Sequence, residues 1–171
     1  MADWPSWTAG WTPMVERLTA TVAAPPLAGL AAMLDADPAS VDIGRPLPVL
    51  WQWVALSAWP FGSALGPDGH PAPGGFMPPT PYTRRMWLGA STDVVDPPII
   101  GSDVVIERTV SDVVEKTGST GPFAIVTVTT DIRSTAGDEL LLERVQFAYR
   151  SPATSDDLTP ARPVAHGAFN Q

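Results

Sequence analysis

Apolar positions in the second half of the chain recur every two residues. In 123–133, Ala124, Val126 and Val128 share one face, and Ile125, Thr127 and Thr129 the other. That is the period of a strand with one side on a core. In 140–150, Val145, Phe147 and Tyr149 are expected inward, and Arg144, Gln146 and Arg150 outward. Two further strand-like runs, 87–96 and 104–116, precede these. Pro97-Pro98 and the turn signals TGSTGP (117–122) and STAGD (134–138) separate the runs. Connections this short predict antiparallel neighbours. Residues 14–23, MVERLTATVA, alternate as a fifth strand.

Between the first strand and the rest the period changes. Pro25 and Pro26 open a helix, where missing amides cost little. Leu27, Leu30, Ala31 and Leu34 follow at helical spacing until 35–38 ends the run. This helix is expected to cover the apolar face of the sheet. Residues 49–58, VLWQWVALSA, are apolar almost throughout, and periodicity does not separate a buried strand from a buried helical turn. The stretch 66–89, GPDGHPAPGGFMPPTPYTRRMWLG, fits no continuous helix or central strand, because proline fixes φ and removes a donor. Its large side chains mark an ordered loop, with a short helical turn expected at 82–87. Trp4, Trp7 and Trp11 form an N-terminal arm expected to pack on the chain's own surface.

Composition narrows the classes. The 171 residues suit one domain with a real core, and 44% hydrophobic against 16% charged is globular. A net charge of -8 with no basic cluster argues against nucleic acid and anionic membrane surfaces. No run approaches a membrane span, and the N-terminal residues carry no signal-peptide pattern, so a cytoplasmic location is expected. Without cysteine there is no thiolate nucleophile or disulfide, and no metal-ligand spacing occurs.

Two segments carry a family resemblance. The 66–89 stretch and SDVVEKTGSTGPFAIVTVTTDI (111–132) resemble the N-terminal half of MaoC-like hydroxyacyl-thioester dehydratases, including the mesaconyl- and itaconyl-CoA hydratase type. The similarity covers most of 16–150. It implies an α+β chain with a single hotdog fold, an antiparallel sheet wrapped on a shortened central helix. Residues 1–150 would form the hotdog with its Trp-rich arm, and 151–171 an extended tail. In this family an Asp or Asn and a nearby His, just before the hotdog helix of the C-terminal half, do the acid/base work. Here the histidines are His70 and His166, and PLPVLWQWVAL (46–56) stands in that place.

The resemblance therefore implies a subunit of a heteromeric 3-hydroxyacyl-thioester dehydratase or enoyl-thioester hydratase. The partner hotdog, in a heterodimer or dimer of heterodimers, would supply the catalytic Asp/His. The substrate would be a thioester of CoA or acyl carrier protein, with no cofactor. Trp51, Trp53, His70, Gly74, Gly75, Phe76, Met77 and Arg85 are the expected substrate-binding residues. Each also has a plainer reading: core or interface packing for Trp51, Trp53, Phe76 and Met77, a positive-φ turn for Gly74-Gly75, and a backbone-bonded loop histidine for His70. Arg84 and Arg85 are adjacent and point apart, one toward an acidic side chain and the other toward a phosphate of the carrier. No catalytic residue is assigned to this chain. Two alternatives remain: a homodimeric dehydratase using His70, or thioesterase using an acidic residue, and a non-catalytic acyl-binding scaffold.

Overall fold

The computed structural model describes residues 4–57, 59–66, 69–71, 74–119 and 121–151. The tail expected from 151 onward lies almost wholly outside the described residues, as does His166. Among the described residues five strands are formed: β1 (Glu16–Thr21), β2 (Arg84–Val94), β3 (Asp103–Gly118), β4 (Gly121–Ser134) and β5 (Glu139–Arg150). They make one antiparallel sheet in the order β1-β3-β4-β5-β2. Two helices, α1 (Ala24–Met33) and α2 (Gln52–Ala55), lie between β1 and β2. This is the expected α+β hotdog arrangement with a curtailed helical layer.

Alternation holds where it was read. Ala124, Val126 and Val128 of β4 are buried, and Tyr149 of β5 is buried with Val145 and Phe147 half-buried on its face. Two local readings change. The stretch 82–87 is not helical: β2 starts at Arg84, because Arg85, Met86 and Trp87 ladder onto Tyr149, Ala148 and Phe147. Pairing also continues through Thr117↔Pro122 to Gly118↔Gly121, so the turn is tighter than 117–122. In the apolar run, where the sequence left strand and helical turn open, residues 49–51 form a turn and Gln52–Ala55 the single helical turn α2.

The core is in two parts, one toward each end of the sheet. In the first, Leu27 and Ala31 of α1 pack with Val22, Val104, Ile106, Ile132 and Leu141. In the second, Met77, Tyr82, Val110, Val113, Val126 and Tyr149 pack together, with Trp4, Trp7 and Trp11 against them. The tryptophan arm thus does for this end what α1 does for the other. Trp7 Nε1–H donates to Glu115 Oε1 at 3.1 Å, and Trp11 Nε1–H to the Gly75 carbonyl at 2.9 Å. The Trp4 and Trp11 rings lie 5.8 Å apart, and Trp7 meets Tyr82 edge-on at 6.5 Å. Tyr82 O–H donates to Glu115, which, with burial and the carboxylate's charge, pushes the phenol up to about 12.

Candidate substrate cavity

Between the two core clusters the concave face changes character. Alternation places Ile106, Arg108 and Val110 of β3 on that face, with Val128, Thr130 and Ile132 of β4 and Leu141, Glu143 and Val145 of β5. The middle member of each trio is polar. Register puts these in one row, Glu16↔Arg108↔Thr130↔Glu143↔Thr92, one residue from each of the five strands. A polar belt therefore crosses an apolar face from edge to edge.

Cavities open on either side of this belt, and Glu143, Thr130 and Arg108 line both. One lobe, of about 310 Å³, is walled by His70, Phe76, Met77, Arg85 and Phe147. The other, of about 540 Å³, is walled by Leu18, Gln52, Trp53, Leu56 and Ile132. Each wall has a local cause. Gly66 N–H donates to the His70 carbonyl at 2.7 Å and Leu65 bridges Pro71, which closes a small turn carrying the imidazole. Gly74, at φ 95°, gives its N–H to the Met77 carbonyl at 3.0 Å, a tight turn that a Cβ would strain. Phe76 leaves this turn and meets the Arg108 guanidinium 4.7 Å from its ring centre. On the other lobe, Leu50 takes φ 71°, left-handed backbone that costs a branched residue about 1–2 kcal/mol. The reversal starts α2 at once and lays Gln52 and Trp53 over the belt.

Glu143 is the centre of the arrangement and is only 7% exposed. Its Oε1 accepts from Gln52 Nε2 at 3.0 Å and from Trp53 Nε1 at 2.6 Å. Gln52 is 4% exposed, and its Oε1 is buried without a hydrogen-bond partner. Arg108 is anchored from β1: its Nε and Nη2 donate to Glu16 Oε2 at 3.2 and 2.5 Å. Arg85 lies between the Phe147 and Tyr149 rings, about 6 Å from each centre, and Nη1 donates to Tyr149 Oη at 3.4 Å. Arg84 is exposed on the opposite side of β2, as adjacency requires.

The expected site residues thus divide. His70, Phe76, Met77 and Arg85 come together in one lobe, and Trp53 walls the other. Trp51 packs against the first core cluster. Gly74 and Gly75 shape the turn before Phe76, and the Gly75 carbonyl anchors the tryptophan arm. Glu143, Arg108 and Thr130 were not anticipated, although alternation alone puts all three on the inward face. Chemically the cavity offers an apolar interior crossed by hydrogen-bonding groups. No cluster of His, Cys, Asp and Glu suited to a metal ion occurs among the described residues.

Comparison with known proteins settles the kinship. A family model for hydroxyacyl-thioester dehydratase type 2 matches residues 50–170. The chain belongs to that family. It is 37% identical over 176 aligned residues to mesaconyl-C(4)-CoA hydratase of Chloroflexus aurantiacus, covering 99% of this chain and 60% of the relative. The chain therefore spans about three fifths of the length of that relative. Solved structures bear out the fold at low identity. A chain of the ChsH1–ChsH2 complex from Mycobacterium tuberculosis aligns with TM-score 0.58 and 15% identity over 88% of this chain and 92% of that one. A chain of the truncated HadBC (3R-hydroxyacyl-ACP dehydratase) complex of the same organism aligns with TM-score 0.50 and 12% identity over 80% and 95%. Over the strands, His70, Phe76 and Met77 on one side and Gln52 and Trp53 on the other close this cavity.

Proposed function

We propose that this chain is the substrate-accommodating subunit of a heteromeric 3-hydroxyacyl-thioester dehydratase, acting reversibly as an enoyl-thioester hydratase. Its thioester is carried by CoA or acyl carrier protein, the acyl group lies in the cavity described, and a catalytic hotdog partner supplies the Asp/His pair. The observation that carries this reading is the composition of the cavity. It has the walls of an acyl site, with Phe76, Met77, Val128, Val145 and Phe147 around a single described imidazole, His70. The turn at 50–53, where a catalytic half would hold its pair, presents Trp51, Gln52 and Trp53, which do not exchange protons near neutral pH.

Two features support a partner hotdog. The outer edge of β2 has no strand beside it among the described residues, and Trp87 and Leu88 on it are 60% and 48% exposed. An open eleven-residue edge with large apolar side chains is a template for strand addition. The fold also resembles chains solved within complexes.

Co-expression with a catalytic hotdog candidate tests the proposal. The measurements are native mass and hydration of crotonyl-CoA, for the chain alone and for the co-purified sample. The expected result is a defined heteromer that hydrates crotonyl-CoA while the chain alone is inert. An active homodimer of this chain would overturn the proposal, and loss of that activity in His70→Ala would move catalysis onto His70.

A further inference from the structure

The polar belt is under-used by the protein itself. Both donors to Glu143 meet the same oxygen, Oε1, leaving Oε2 for an occupant of the cavity. Gln52 Oε1 is fully enclosed and unpaired, and the hydroxyl of Thr92, opposite Glu143 in the register, is also buried without a partner. Native structures rarely leave such groups unmatched, because each costs about 1–3 kcal/mol. Two of them beside one carboxylate at the junction of two lobes point to a place where a ligand completes the hydrogen bonding.

The chemistry of that ligand follows from the acceptors. A carboxylate oxygen and an amide oxygen accept and do not donate. A thioester carbonyl accepts only, and an alkyl chain does neither. Within an acyl thioester the groups that can donate are a hydroxyl on the acyl chain and, on the pantetheine arm, two amide N–H groups and one hydroxyl. Gln52 and Glu143 lie deep, at 4% and 7% exposed, with apolar wall on both sides. Depth favours the acyl end over the carrier arm, which must lead out to solvent.

We propose that Gln52 Oε1 and Glu143 form the acceptor site for a hydroxyl carried by the acyl group. This chain is then a specificity-determining subunit, distinguishing hydroxylated from plain acyl thioesters, and not only an apolar sleeve. The inference rests on the reading that the cavity holds an acyl thioester. Trp53 Nε1–H and Gln52 Nε2–H are positioning groups here: they hold Oε1, and so fix the carboxylate plane.

The test is calorimetric titration of the full chain with 3-hydroxybutyryl-CoA and with butyryl-CoA, on wild type, Gln52→Met and Glu143→Gln. A hydroxyl donating to a charged acceptor is worth about ten- to a hundredfold in affinity, so wild type is expected to prefer the hydroxylated thioester by that factor. Gln52→Met and Glu143→Gln are each expected to reduce the preference several-fold. Far-UV circular dichroism checks each variant, and whichever keeps the wild-type spectrum decides. Equal binding of the two thioesters by wild type overturns the inference and leaves the proposed function standing. Equal binding that falls equally in Gln52→Met assigns the acceptors to a donor of the pantetheine arm, which also overturns it. Failure of wild type to bind either thioester removes the acyl cavity itself, and the inference with it.

Discussion

Replacing Trp11 by alanine is expected to destabilise the fold by about 2.5–3.5 kcal/mol. The indole is half-buried against the second core cluster. A tryptophan contributes roughly 200 Å², so about 100 Å² is at stake, near 2.5 kcal/mol at about 25 cal/mol per Å². That figure is an upper value, since an unfolded chain already hides part of its apolar surface. The bond from Nε1–H to the Gly75 carbonyl, at 2.9 Å, adds about 1 kcal/mol. Trp11→Phe separates the two contributions: it keeps most of the area and loses the bond, for about 1–1.5 kcal/mol. Urea unfolding followed by far-UV circular dichroism reads both as shifts of the midpoint at unchanged slope. The bond matters beyond stability because Gly75 precedes Phe76, a wall of the cavity that stacks on Arg108. A Trp11→Ala protein within about 0.5 kcal/mol of wild type, the scatter of ordinary surface substitutions, would refute the role given to the arm.

Three further outcomes are expected. Leu27→Ala, in the fully buried anchor of α1, costs about 2–5 kcal/mol by the same urea measurement. Gly101→Ala costs about 1–3 kcal/mol, because φ is 89° and the new Cβ would sit 2.7 Å from Ile43 Cγ2, a shift visible in the thermal midpoint. Tyr82 makes stability fall as pH rises. Its phenol ionises near 10 in the unfolded chain and near 12 in the fold, so the folded state holds the proton longer. Its contribution is complete below pH 10 and is lost between 10 and 12. The stability gap between wild type and Tyr82→Phe is therefore expected to narrow across that window in pH-dependent urea titrations.

The sheet was legible because a strand buried on one side writes a period of two into the sequence. All five strands, the α1 helix and the antiparallel pairing follow from the strand-like runs and the turn residues, with β2 beginning three residues before the expected Trp87. Residues 82–87 misled because YTRRMW has no period of its own, and its state is decided by a partner 60 or more residues later, the ladder onto Ala148 and Tyr149. The run 49–58 was ambiguous for a related reason: a left-handed Leu50 breaks it, and nothing in VLWQWVAL announces that. The aromatic half of the cavity was legible from the crowding of Phe76, Met77 and Trp53 near a proline-rich loop. The polar half was passed over although its signal was present. Reading inward from Val145 by two gives Glu143, and the same step finds Thr130 between Val128 and Ile132 and Arg108 between Ile106 and Val110. A single inward polar residue is ordinary, but one on each of three adjacent strands in register is a belt.

The prolines explain why the belt is open to a ligand at all. A long helix laid along the concave face would cover both core clusters and fill the space between them. Pro67, Pro71, Pro73, Pro78, Pro79 and Pro81 forbid such a helix in the connection to β2. The face is covered instead from its two ends, by α1 on one side and by the tryptophan arm with Met77 and Tyr82 on the other. The gap between these covers is the double-lobed cavity, and it falls on a row of the sheet where burial under a helix would have been costly. Glu143 and Arg108 under a helix would have needed complete internal pairing, since an unmatched buried charge is heavily penalised. In the observed fold, Glu16 reaches Arg108, Gln52 and Trp53 reach one oxygen of Glu143, and Glu143 lines both lobes of the space between the covers. The same sequence feature that removes the helix thus leaves the space that the proposed acyl group would occupy, beside the polar row of Glu16, Arg108, Thr130, Glu143 and Thr92.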